Sequence, residues 1–209
     1  MGRLGRFSLL ILTAACCQAA VGVNDPISEW NGEFLDAVRR DPTAPCLVAR
    51  NLAIFHIALH DGLESLHDGS DFIVGHYAVD EPVPDEAYIH AAASKLLAVF
   101  YPSYRGIFMR MAESRMESFT SAERESAIRL ALEVAARTLE ARKNDGAANT
   151  LTYVPKDALG KWRRTPPGYR PPELSHWSSL EPFVLPSPAA FRPPPPPALD
   201  SEAYARAVE

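Results

Sequence analysis

Cysteine is nearly missing from this chain, with three in 209 residues. Two of them, Cys16 and Cys17, belong to an N-terminal apolar segment. With that segment removed Cys46 has no partner, so a disulfide framework is excluded. Excess positive charge is also lacking. Lys and Arg number 21 against 26 Asp and Glu, a formal net charge of −5, which provides no electrostatic attraction to nucleic acid or to an anionic membrane. Beyond Gly22 no stretch is long and apolar enough to cross a bilayer about 30 Å thick. There is no glycine-rich loop to cradle a phosphate and no serine nucleophile elbow. With 47% apolar and 22% charged residues, the composition is that of a globular protein and not of a chain disordered throughout.

Proline is abundant and uneven. Of 19 prolines, six precede residue 150 and thirteen lie between Pro155 and Pro197. Proline has no N–H to donate and disfavours helix in the residue before it, so the chain divides into a helix-permitting region and a helix-forbidding one.

Residues 1–22 are expected to be an export signal. Arg3 and Arg6 supply the positive start, Phe7 to Ala15 the apolar run, and Ala20-Val21-Gly22 a small-residue cleavage site. A lipoprotein signal is the variant reading, because cysteines follow the apolar run. Thr13-Ala14-Ala15-Cys16 lacks the usual leucine three residues before the lipidated cysteine. The expected location is periplasmic or extracellular.

Helical periodicity dominates residues 27–146, and the fold class it predicts is all-α, a bundle of about five helices. Ser28 is the expected cap of the first, in which Trp30, Phe34, Leu35 and Val38 recur at helical spacing. Pro42 and Pro45 break it. A second helix over 46–66, apolar all round, is expected to be central. The third is placed near 85–100, with Tyr88, Ala92, Leu96 and Val99 stacked. The fourth is placed near 103–119, with Ile107, Met111 and Met116 inward. Thr120 and Glu123 form a capping box opening the fifth, with Ile128, Leu132, Ala135 and Leu139 as its buried stripe and Gly146 as its stop.

Residues 147–199 cannot be regular helix, yet they hold Tyr153, Trp162, Tyr169, Trp177, Phe183 and Phe191. The expectation is an irregular proline/aromatic strap that presses these rings onto the bundle. At 200–209 a further helix begins, and the expectation is a truncated one.

Few residues suggest chemistry. His56 and His60 are four apart on one helix face, with Asp61 adjacent. The spacing matches that of a zinc helix, but Ile57 stands where the general-base glutamate belongs. The alternative is structural, with all three tying neighbouring helices by hydrogen bonds and Asp61 pairing with Arg50. His90 and His176 have no ligand neighbours at suitable spacing. Cys46 is expected to fill core, and Lys156 and Arg163 to be solvated cations flanking Trp162.

Certain words of this sequence, in their order, are similar to the N-terminal half of bacterial vanadium-dependent haloperoxidase-like proteins, in the type-2 phosphatidic acid phosphatase and haloperoxidase superfamily. They are Trp30-Asn31, Arg50-Asn51-Leu52-Ala53 leading to His56 and His60-Asp61, and Ala91-Ala92-Ala93-Ser94-Lys95-Leu96-Leu97 closing at Tyr101-Pro102. Asn144-Asp145-Gly146, Trp162-Arg163-Arg164-Thr165-Pro166-Pro167-Gly168-Tyr169, Trp177, Pro182-Phe183, and Phe191-Arg192 with five prolines and Ala198-Leu199 after it complete the series. The resemblance runs from about Ser28 to Glu209. It implies helical bundles holding vanadate, and a chemistry of peroxide-dependent halide oxidation or phosphate-ester hydrolysis. The family holds the oxyanion with a lysine, six residues and Arg-Pro, then a Ser-Gly-His, then a Ser-Arg followed by a histidine, all toward its C-terminal half. This sequence departs from that pattern. It contains no Ser-Gly-His, Ser114-Arg115 is followed by no histidine in the next turns, and Arg164 replaces the proline after Arg163.

The expectation is therefore a scaffold portion with no catalytic, cofactor-binding or metal residues assigned. His56, His60 and Asp61 stand as candidates, and vanadate is expected only in the complete family member. The partners implied are a missing C-terminal catalytic half or a second copy of the chain. The alternative is a non-enzymatic helical binding or dimerisation module.

Overall fold

The computed structural model describes residues 25–209; the predicted leader lies outside the described residues. Six α-helices and no strand are found among them: α1 Pro26–Arg40, α2 Pro45–Leu66, α3 Asp85–Phe100, α4 Arg105–Arg115, α5 Ser121–Ala141 and α6 Glu202–Val208. The all-α expectation holds. Short 3-10 turns occur at Pro102–Tyr104 and Trp177–Ser179.

The helix starts follow local chemistry. Asp25, not Ser28, caps α1: its carboxylate accepts from the backbone N–H of Ile27 and of Ser28, each at 3.2 Å. Pro26 then occupies the first turn, where a missing N–H costs nothing. The capping box at Thr120 forms as expected, with Thr120 N–H donating to Glu123 at 2.7 Å and Glu123 N–H to Thr120 Oγ1 at 3.3 Å. Gly146 is not the stop of α5, which ends at Ala141. It lies in the following loop at φ +92, where a side chain would be strained.

The central helix is α3 and not α2. It packs against α1, α2, α4 and α5, and Ala87, Tyr88, Ala91, Ala92, Ala93, Leu96 and Leu97 are buried. Its four buried alanines let neighbouring backbones approach closely. The first turns of α2 lie at the surface, and Cys46 is exposed rather than core filling. Gly62 shows how close α2 and α3 come, since a Cβ there would lie 1.9 Å from the Tyr88 hydroxyl.

The buried stripes differ from expectation on three helices. On α5 the inward residues are Ser126, Ala127, Leu130, Ala131, Val134, Ala135 and Thr138, while Leu132 is exposed. On α4 they are Phe108 and Ala112, with Met111 packed against the core and Met116 buried just past the helix as expected but Ile107 exposed, and on α3 Val99 is exposed. In each case one large apolar residue expected inward lies outside.

The strap is anchored in one place and otherwise exposed. Phe183 packs against the core, and His176 is buried. Trp162, Tyr169 and Phe191 stand in solvent, as do the five consecutive prolines. The expected pressing of rings onto the bundle occurs at Phe183, with Trp177 half-buried, and not at Tyr153, Trp162, Tyr169 or Phe191.

Candidate functional site

The three candidate residues share a helix but not a site. His56 Nε2 lies 3.0 Å from Asn31 Oδ1 on α1, and His60 Nε2 lies 2.6 Å from the Asp71 carbonyl. Burial lowers the His56 pKa from its ordinary value. Asp61 points into the fold and is completely buried. Its carboxylate accepts from three successive backbone N–H groups, those of Ile73 at 2.9 Å, Val74 at 2.7 Å and Gly75 at 3.2 Å. Ser65 adds to the same anchor, donating to the Asp61 carbonyl and accepting from Tyr77 N–H. Together they staple the loop after α2 to the helix. Among the described residues, no cluster of three or more His, Cys, Asp or Glu side chains has the geometry to hold a metal ion.

Arg50 does not pair with Asp61. It reaches across to Asp145, donating through Nε at 2.7 Å, and its Nη2 donates to the Arg142 carbonyl at 2.8 Å. Arg142 closes the cluster from the end of α5, with Nη2 3.0 Å from the same carboxylate. It also donates to the carbonyls of Glu181 and Pro182 and lies over the Phe183 ring, 4.1 Å from its centroid. Glu181 N–H in turn donates to the Asp145 carbonyl at 2.8 Å. Burial pushes the Asp145 carboxyl up; the Arg50 hydrogen bond, the Ala147 N–H and the two guanidiniums outweigh that and hold it below its ordinary value. Reading the residues singly does not reveal this node, although Asn144-Asp145-Gly146 marked the spot.

A second buried cluster joins three helices. Trp30 Nε1 donates to His90 Nδ1 at 2.9 Å, which fixes that ring as neutral with its proton on Nε2. The Arg115 guanidinium covers the Trp30 ring, 4.8 Å from its centroid. Burial, with Arg115 adding to it, lowers the His90 pKa. His176 has a structural contact, its Nε2 3.2 Å from the Ala147 carbonyl.

These cations do not fit a vanadate. A highly charged oxyanion needs several converging donors that are not already engaged. The two buried guanidiniums of the strap node converge on a carboxylate and on carbonyls, which would repel it. Lys156 and Arg163 are exposed. His56 and His60 point to separate partners.

The resulting class is an all-α bundle with one helix enclosed by four others and an irregular, single-anchored strap. No sequence-family profile and no curated protein matches the chain significantly. Among solved structures, the chain is similar to the crystal structure of a bacterial vanadium-dependent iodoperoxidase, with a TM-score of 0.75 and 20% identity over 86% of this chain. At that identity the likeness establishes the fold, as the haloperoxidase resemblance implied. The matched region is 48% of the iodoperoxidase chain, so this chain spans about half its length.

Proposed function

We propose that the chain is the N-terminal scaffold portion of an exported vanadium-dependent haloperoxidase-like protein, with the oxyanion-binding groups supplied by residues outside this sequence. The observation that carries the reading is the fold match, which covers nearly all of this chain and about half of the iodoperoxidase. Two further points support it. The family's oxyanion words are missing from the sequence, and the Arg50 and Arg142 guanidiniums are committed to internal acceptors. In this role the bundle gives the catalytic half a rigid wall, and α3 with its alanine-rich surface sets the spacing of the surrounding helices. The exposed rings of the strap also support the alternative of a helical binding module.

The test is peroxide-dependent halide oxidation with orthovanadate added. The purified chain alone is expected to give no turnover, and co-expression with a polypeptide bearing the family's Ser-Gly-His and Ser-Arg…His words is expected to give turnover. Vanadate-dependent halide oxidation by this chain alone would overturn the proposal, and so would a pair that co-purifies without activity.

A further inference from the structure

The charge of the chain is unevenly placed. Residues 25–147 hold 12 Lys and Arg against 20 Asp and Glu, a net of −8. Residues 148–175 hold Lys156, Lys161, Arg163, Arg164 and Arg170 against Asp157 and Glu173, a net of +3. A cationic loop therefore projects from an acidic body. Its base is fixed by the Asp145–Glu181 and Ala147–His176 contacts and by the Arg142 clamp. Its apolar side chains face outward, with Leu159 88%, Val154 73%, Tyr169 58% and Trp162 45% exposed. Trp162 is also held edge-on against Tyr153, with ring centroids 5.8 Å apart, so ordering it on a partner costs less entropy. Exposed Trp and Tyr among arginines match the composition of interface anchors.

The acidic body contains a groove of matching character. It has a volume of about 400 Å³ and runs between residues 78–83 and α5. Val79, Val83 and Leu130 supply apolar lining, and with Asp80, Glu81 and Glu133 against Arg129 the lining has a formal charge of −2; Glu81 is paired with Arg129 and accepts from Ser126, and Glu133 lies 3.6 Å from Arg137. A larger groove of about 740 Å³ between α3, α4 and α5 has three cations and three carboxylates, so its charge does not favour a basic loop.

We propose that the Trp162 tip of the 148–175 loop docks in the 78–83/α5 groove of a second copy of this chain, forming a closed two-fold dimer. Both halves of the complementary pair lie on one polypeptide, so a two-fold axis satisfies each of them twice. A polyanion is the poorer partner, because the body bearing the loop would repel it. The inference does not depend on the scaffold function proposed above.

Sedimentation equilibrium of the full chain tests it, at about 0.01 M and near 1 M ionic strength. A dimer is expected at low salt, dissociating at high salt. Arg163→Glu with Arg164→Glu, and separately Asp80→Lys with Glu133→Lys, are each expected to raise the dissociation constant about tenfold or more. Mixing the two double variants is expected to restore association as a heterodimer, since every loop then meets a groove of opposite charge. A monomeric wild type, a dimer indifferent to the reversals, failure of the mixture to associate, or binding to heparin without self-association would each overturn the proposal.

Discussion

Replacing Asp61 by Asn changes one atom and tests the staple between α2 and the loop that follows it. The buried carboxylate accepts three backbone N–H groups, one on Oδ1 and two on Oδ2. An asparagine keeps one acceptor oxygen and turns an NH2 toward the remaining donors, so at least one N–H loses its partner in a site closed to water. Hydrogen bonds to a charged acceptor contribute about 1.5–3 kcal/mol each, and an orphaned buried donor costs about 1–3 kcal/mol. A loss of about 3 kcal/mol is expected. For a chain of this size that lowers the midpoint of thermal unfolding by roughly 6–12 °C. Circular dichroism against temperature measures it, and amide exchange at Ile73, Val74 and Gly75 locates it, because those three should exchange faster before the helices do. A midpoint within about 2 °C of wild type, with unchanged exchange at the three amides, would refute the reasoning.

Three further outcomes follow from the packing and the charges. Gly62→Ala places a Cβ 1.9 Å from the Tyr88 hydroxyl, which donates to the Ala58 carbonyl; overpacking of this kind costs about 1–3 kcal/mol, read as a lower urea midpoint with an unchanged slope. Arg142→Ala leaves Asp145 with Arg50 alone and frees the Glu181 and Pro182 carbonyls. Breaking that buried group is expected to cost about 3 kcal/mol and to speed chymotrypsin cleavage after Trp177 and Phe183. His90 has a pKa below its ordinary value of 6.5, so as pH falls through that value the unfolded chain takes the proton before the folded one does. Stability from this group is complete above pH 6.5 and declines toward acid; urea midpoints across that range should show a shallower slope in His90→Gln than in wild type.

Helix positions were legible from the sequence wherever a strong local rule acted. Pro42 and Pro45 separate α1 from α2, and the Thr120–Glu123 box starts α5 at the expected residue. The faces were not so legible. A stripe is read from its largest apolar residues, and on α5 that draws Leu132 inward. The buried face of α5 instead carries Ala127, Ala131 and Ala135 beside Leu130 and Val134, and α5 packs against α3. Asp61 was visible as a buried acid, but its partners are main-chain groups twelve to fourteen residues ahead, which no side-chain pattern announces. The strap failed for the opposite reason. Its rings suggested burial throughout, whereas one ring, Phe183, packs on the core and is clamped by Arg142, and Trp162, Tyr169 and Phe191 stay outside.

The clamp at the foot of the 148–175 loop has a consequence for how this polypeptide can vary. Because both ends of the segment are tied to the bundle, doubling its length raises the entropy of closing it by only about 0.6 kcal/mol. Insertions and deletions between Ala147 and His176 therefore cost the helices little. A backbone nick there would leave two pieces still joined through Arg142, Asp145 and Phe183.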